Sequence, residues 1–147
     1  MKNIILSILL IFSLFIVLDL PVILFLNKKM YQDQFLRINK DLVISKMQAI
    51  ICMILIYLIL SLCMYYFIFY PKLNMSYLHI FGKGALFGFC IYSVYNLTNY
   101  ATISEWGLKE TVIDTTWGTI LSGIIAILST FILKSTNLSP INVNIET

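Results

Sequence analysis

Two aspartates stand inside apolar runs: Asp19 in LFIVLDLPVILFL and Asp114 in TVIDTTWG. A third segment, YNLTNYAT from Tyr95 to Thr102, adds the amides Asn96 and Asn99 and the hydroxyl Thr102. Carboxylates in apolar surroundings can bind a cation, relay a proton or act as general acid and base, with neighbouring amides to orient them. An Asp near the centre of a membrane span costs about 2.5–3.5 kcal/mol on insertion scales, so both acids are expected to point into protein rather than lipid. The candidate polar pocket is therefore Asp19, Asn96, Asn99, Thr102, Asp114 and Trp117. No catalytic role follows for any of them. The single histidine, His79, falls on the far side of the membrane from the acids, so no serine–histidine–acid set forms. GKG at Gly82 to Gly84 lacks the remainder of a phosphate-binding loop. Cys52, Cys63 and Cys90 lie in apolar runs without a zinc spacing and are expected to pack as small hydrophobes. Neither a metal nor a cofactor is expected.

The elements that position these residues follow from composition. The chain has 147 residues, 60% of them hydrophobic and 12% charged. Soluble domains are nearer 45–50% apolar and about 25% charged, so the bilayer is the natural solvent. The net charge of +3 is small and dispersed, which sets nucleic acid aside. Four runs reach the length of about 20 residues that a spanning helix needs: 4–26, 47–70, 78–103 and 111–133. A backbone in lipid must satisfy its own hydrogen bonds, so these runs are helices. The first begins MKN but is too long for a cleaved signal and is read as a retained span. The expected fold is an all-α integral membrane protein. It is a four-transmembrane-helix bundle in a single domain, 1–134, with a polar tail at 135–147.

Four spans place both termini on one side, here side A. Side A carries four basic residues (Lys2, Lys72, Lys83, Lys134) and side B six (Lys28, Lys29, Arg37, Lys40, Lys46, Lys109). The positive-inside rule leans towards side B as cytoplasmic. Sequons at Asn74 and Asn137 fall on side A. Between spans one and two, Tyr31, Phe35, Ile38 and Leu42 recur at helical spacing, with Gln32, Asp33, Asn39 and Lys40 elsewhere around the helix. This pattern reads either as an amphipathic helix at the side B interface or as a plain linker. In the first case Lys28, Lys29, Arg37 and Lys40 would suit anionic headgroups, and Arg37 or Lys28 could pair with the acids.

Because spans alternate in direction, Asp19, the Asn96–Thr102 segment and Asp114–Trp117 all fall near side B. A turn between Trp106 and Gly107 puts Asn99 level with Asp114, Asn96 with Trp117 and Thr98 with Thr115. Asn99 is then the expected donor to Asp114. Asp114, Gly118, Ser122 and Ala126 are spaced by four, as are Gly84 and Gly88. Such small residues let membrane helices approach closely, so spans three and four are expected to pack along this seam. Tyr92, Tyr95, Tyr100, Trp106 and Trp117 read as an interfacial aromatic belt.

The stretch GALFGFCIYSVYNLTNYATISEW, followed by VIDTTWG, resembles a family of bacterial and viral membrane proteins known as domain of unknown function 2177. The resemblance runs from about Leu18 to about Ser122 and implies a four-span protein with an acid in the first span. It also implies a Tyr-Asp-Leu-Thr-Asn-x-Ala-Thr segment in the third span and Asp-x-x-Trp-Gly in the fourth. Here those positions are Asp19, then Tyr95, Asn96, Leu97, Thr98, Asn99, Ala101 and Thr102, then Asp114, Trp117 and Gly118. Two positions depart from the pattern. Asn96 stands where the family pattern usually has Asp, and Val22 where it often has Trp. The resemblance implies an architecture and no reaction. Two readings therefore stay open, ahead of a third with less support, a membrane-embedded enzyme acting on lipid, for which no nucleophile or metal set stands out. One is a polar pocket binding a lipid headgroup, ion or small solute. The other is a structural or interaction protein, a membrane or virion component or homo-oligomer, whose polar cluster fixes helix packing.

Overall fold

The computed structural model of the chain describes residues 2–39, 45–69 and 75–136. Lys40, Leu42, Lys72, both sequon asparagines and most of the polar tail lie outside these residues. Five helices follow one another: α1 (Lys2–Pro21), α2 (Lys28–Ile38), α3 (Lys46–Met64), α4 (Tyr77–Thr102) and α5 (Leu108–Ser135). α1 and α3 each continue into a wider π-helical turn, Val22–Leu26 and Tyr65–Phe69. With these extensions, four helices are long and apolar enough to cross a membrane: Asn3–Leu26, Lys46–Phe69, Tyr77–Thr102 and Leu108–Ser135.

The local causes are readable. Pro21 has no N–H, so it cannot close the α-helical bond to the carbonyl four residues earlier. The helix widens directly after it, and Asn27 N donates to Val22 O at 2.8 Å to end the π turn. α3 and α4 start on serines, Ser45 and Ser76, whose hydroxyls accept from the backbone N–H three residues on. Hydroxyls inside the spans bond back to the carbonyl of the preceding turn, as Ser61 does to Tyr57 and Thr130 to Ala126.

α5 is the most buried span and packs against α4 along most of its length, with α1 on another side. α1 also packs on α3. The core holds Ile11, Phe15, Tyr57, Met64, Ile80, Leu121 and Ile125. The outer faces carry Ile, Leu and Phe, as in Ile50, Ile54, Leu58 and Leu62 along α3. The three cysteines are free thiols on these outer faces rather than in the core.

In lipid the apolar faces gain little by leaving their solvent, so close packing must hold the helices together. The α4–α5 seam provides it. A Cβ on Gly84 would lie 2.6 Å from both the Ala126 side chain and the Ser122 carbonyl. A Cβ on Gly88 would collide with the Gly118 carbonyl and with Ser122. The ring of Tyr92 covers Gly118, and that of Phe81 covers Gly123. Only hydrogen at these positions allows the two backbones to meet.

Candidate functional site

The α4–α5 connection sets the register of everything near the acids. The facing pairs are Gly84 with Ala126, Gly88 with Ser122, Tyr92 with Gly118 and Asn96 with Asp114. The two residue numbers in each pair give the same total, so the hairpin pivots on Glu105, not between Trp106 and Gly107. Ile103 N closes α4 on Asn99 O, Trp106 N turns back to Ile103 O, and α5 begins at Leu108. This asymmetric turn moves the pairing by three residues. Asn96, rather than Asn99, therefore donates to Asp114.

Four donors surround the two carboxylates. Tyr57 of α3 donates to Asp19 Oδ2 at 3.0 Å, and Trp117 Nε1 of α5 donates to Oδ1 at 2.8 Å. Tyr31 of α2 donates to Asp114 Oδ1 at 2.5 Å, and Asn96 Nδ2 of α4 donates to Oδ2 at 2.6 Å. Asn96 Nδ2 also reaches its own Tyr92 carbonyl at 2.9 Å. Every carboxylate oxygen thus has one neutral donor, and each donor comes from a different helix. Asp114 and Trp117 share one face of α5, three residues apart, so α5 links all the other helices through this cluster. Asp19, Asn96 and Tyr57 are buried, while Asp114 and Trp117 are half-buried.

α2 lies against the start of α5 through Tyr31, Gln34 and Arg37, three residues apart on one face. Gln34 is buried; its Oε1 accepts from Arg37 at 2.7 Å and from Gly107 N at 3.3 Å. Arg37 forms an ion pair with Glu110 at 2.5 Å. The cation expected beside the aspartates is therefore spent one turn earlier on α5, and a phenol takes its place at Asp114. Lys28 is exposed. Burial, and then the negative charge of Asp114, push the Tyr31 phenol well above the ordinary tyrosine range.

Of the six candidates, four form two hydrogen-bonded pairs, Trp117 with Asp19 and Asn96 with Asp114, which α5 joins because it carries both Asp114 and Trp117. Asn99 and Thr102 do not join them. Asn99 is half-buried, and Thr102 is exposed and bonds back to Thr98 O at 2.8 Å. Trp117 and Tyr92 turn inward from the expected belt, whereas Tyr95 and Tyr100 remain exposed. Tyr57 and Gln34 are not marked by the sequence, and Tyr31 reads there only as part of the apolar face of the interfacial helix, not as a partner of the acids. A tyrosine in mid-span, whose hydroxyl must find a partner, was the available signal for Tyr57. Among the described residues no three His, Cys, Asp or Glu side chains gather to hold a metal ion.

Beyond this network, a groove of about 570 Å³ opens between α2 and the first turn of α5, lined by Lys29, Met30, Asp33, Arg37, Lys109 and Glu110. No curated protein and no solved structure matches the chain significantly. A family model does match, over residues 4–131, which takes in all four spans, both acids and their donors. The chain therefore belongs to the family described as predicted membrane protein, DUF2177.

Proposed function

We propose that this membrane protein binds a proton or a small cation at the Asp19–Asp114 pair, reached from the end of the bundle that carries α2. The observation that supports this is a charge imbalance. Two carboxylates are tied to α5, Asp114 directly and Asp19 through Trp117, and among the described residues all four donors to them are neutral. Carboxylates within a membrane are otherwise paired or neutralised, because their desolvation is costly. Arg37, the cation carried by α2, is engaged by Glu110 instead. Carbon-13 spectra of aspartate-labelled protein in lipid nanodiscs test this reading. Two of the four aspartate carboxyls should titrate as a coupled pair, and Asp19→Asn should alter the remaining partner. Independent titration of both, each in the ordinary aspartate range and unmoved by sodium or potassium, would overturn it.

One observation favours a second reading, a structural clasp: every carboxylate oxygen already has a donor, and the donors come from four different helices. A double-mutant cycle of Asp114→Leu and Asn96→Leu separates the two. Under the clasp, the double variant is more stable than the sum of the single losses, and no cation or proton response remains to be explained.

A further inference from the structure

We propose that the groove between α2 and the start of α5 binds the phosphate of an anionic phospholipid, held by Lys29, Lys109 and the exposed side of Arg37. This site is separate from the aspartate pair and does not depend on the reading given to it. Five charged side chains line the groove, three basic and two acidic. Glu110 is already neutralised by Arg37, and it is largely buried while Arg37 is about half exposed. Lys29 and Lys109 are exposed and have no acidic partner among the described residues. Asp33 is thus the one acid in the lining set against two unengaged ammonium groups.

The groove also meets the start of α5, where Glu110 is the acidic residue of the first turn. α5 starts at Leu108 with no side-chain cap on its first turn, and Lys109 and Glu110 of that turn line the groove. The first N–H groups of a helix have no partner within it and favour an anion, and the helix dipole acts in the same direction. A volume of this order falls within the range of small-ligand sites, about 300–1,000 Å³. Phosphate, with several acceptor oxygens and at least one full negative charge, matches two ammonium groups and part of a guanidinium.

The flanking residues favour a lipid over a soluble phosphate ester. Leu36 next to Arg37 and Leu108 next to Lys109 are both exposed, and Leu26, just before α2, is almost fully so. The groove's cations are interleaved with apolar side chains that acyl chains would cover. Of the expected set, Lys29 and Arg37 line the groove and Lys28 does not, Lys40 lies outside the described residues, and Lys109 is added from a different helix.

The test uses the full chain in detergent, titrated with dioctanoyl phosphatidic acid, dioctanoyl phosphatidylcholine and inorganic phosphate, with bound mass read by native mass spectrometry. The same titrations are run on a Lys29→Gln, Lys109→Gln double variant. Both lysines are exposed, so the variant should keep the wild-type melting temperature. Phosphatidic acid should bind one to one, and the double variant should lose about twentyfold or more in affinity, about fivefold per lysine. Inorganic phosphate binding as tightly as the lipid, and lost in the variant, would keep the phosphate site and overturn its lipid source. Equal binding of phosphatidic acid and phosphatidylcholine, or undiminished binding by the variant, would overturn the site itself.

Discussion

Replacing Tyr31 by Phe removes one hydroxyl and leaves the ring that seats α2. In the wild type α2 is held to α5 by three polar ties: Tyr31 to Asp114, Gln34 to Gly107 N and Arg37 to Glu110. The Gln34 bond is long at 3.3 Å, and Arg37 is half exposed, so its ion pair is screened. Tyr31 makes the shortest of the neutral bonds, to a carboxylate, and is itself half-buried. A hydrogen bond to a charged group contributes about 1.5–3 kcal/mol in soluble proteins. Interhelical bonds in membranes average about 0.6 and reach about 1.7 kcal/mol. A loss of about 1–2 kcal/mol follows, which raises the undocked population of α2 by roughly 5- to 30-fold. Hydrogen–deuterium exchange in nanodiscs reads this directly. Exchange across α2 should accelerate by about that factor, while peptides from the α4–α5 seam keep their wild-type rates. Unchanged exchange in α2 would show that the Asp114 contact does not hold it. Acceleration throughout the bundle would show that α2 is not a separately docked element.

The alkaline response of α2 follows from the same residue. A phenol whose value is raised on folding contributes stability that is complete below the unfolded value near 10 and is lost as pH rises beyond it. Exchange in wild-type α2 should therefore rise above pH 10, and by less in Tyr31→Phe. Gly88→Ala should cost about 1–3 kcal/mol, because its Cβ meets the Gly118 carbonyl and Ser122 and one backbone must move. Gly82→Ala, with nothing within 4 Å of its Cβ, should cost nothing and raise the thermal midpoint slightly. Equal effects in the two variants, measured by thermal unfolding in detergent, would refute the seam as the main α4–α5 contact. Asn96→Asp sets a carboxyl where an amide now donates to Asp114 at 2.6 Å. It should lower the midpoint at pH 8 and largely recover it at pH 5, where a proton shared between the carboxyls restores the donor. A loss independent of pH would count against that contact.

Much of the fold was legible because the bilayer leaves few options. A run of apolar residues long enough to cross must be helical, and the four spans lie within a few residues of the observed helices. The seam was equally legible. Residues spaced by four with nothing larger than Ala or Ser leave one stripe along which backbones can meet, and Gly84, Gly88, Gly118, Ser122 and Ala126 meet there. The partners of the acids were harder to read, since they depend on tilt, on register and on side chains that sequence spacing does not rank. Tyr31 and Tyr57 are separated from the aspartates they contact by 83 and 38 positions, and nothing local marks them as partners.

The three-residue error in register shows where such inference fails and why its consequences are limited. A symmetric turn at Trp106–Gly107 assumes that both helices stop at equal distances from the pivot. Instead α4 ends at Thr102, with a turn through Ile103 and Trp106 and an extended Gly107 before α5. Shifting the pivot from there to Glu105 moves every pairing by nearly one helical turn, so the partner on α4 is still an amide on the same face: Asn96 instead of Asn99. The repeat of three and four residues that made the sequence ambiguous also kept the chemistry the same. The shift matters for the proposed site because Asn96, and not Asn99, is the amide that meets Asp114. An amide there donates to Asp114, whereas a carboxyl could do so only by carrying a proton. In this chain the α4 partner of Asp114 is a permanent donor. Any proton or cation the cluster takes up must then reside on Asp19 and Asp114 alone.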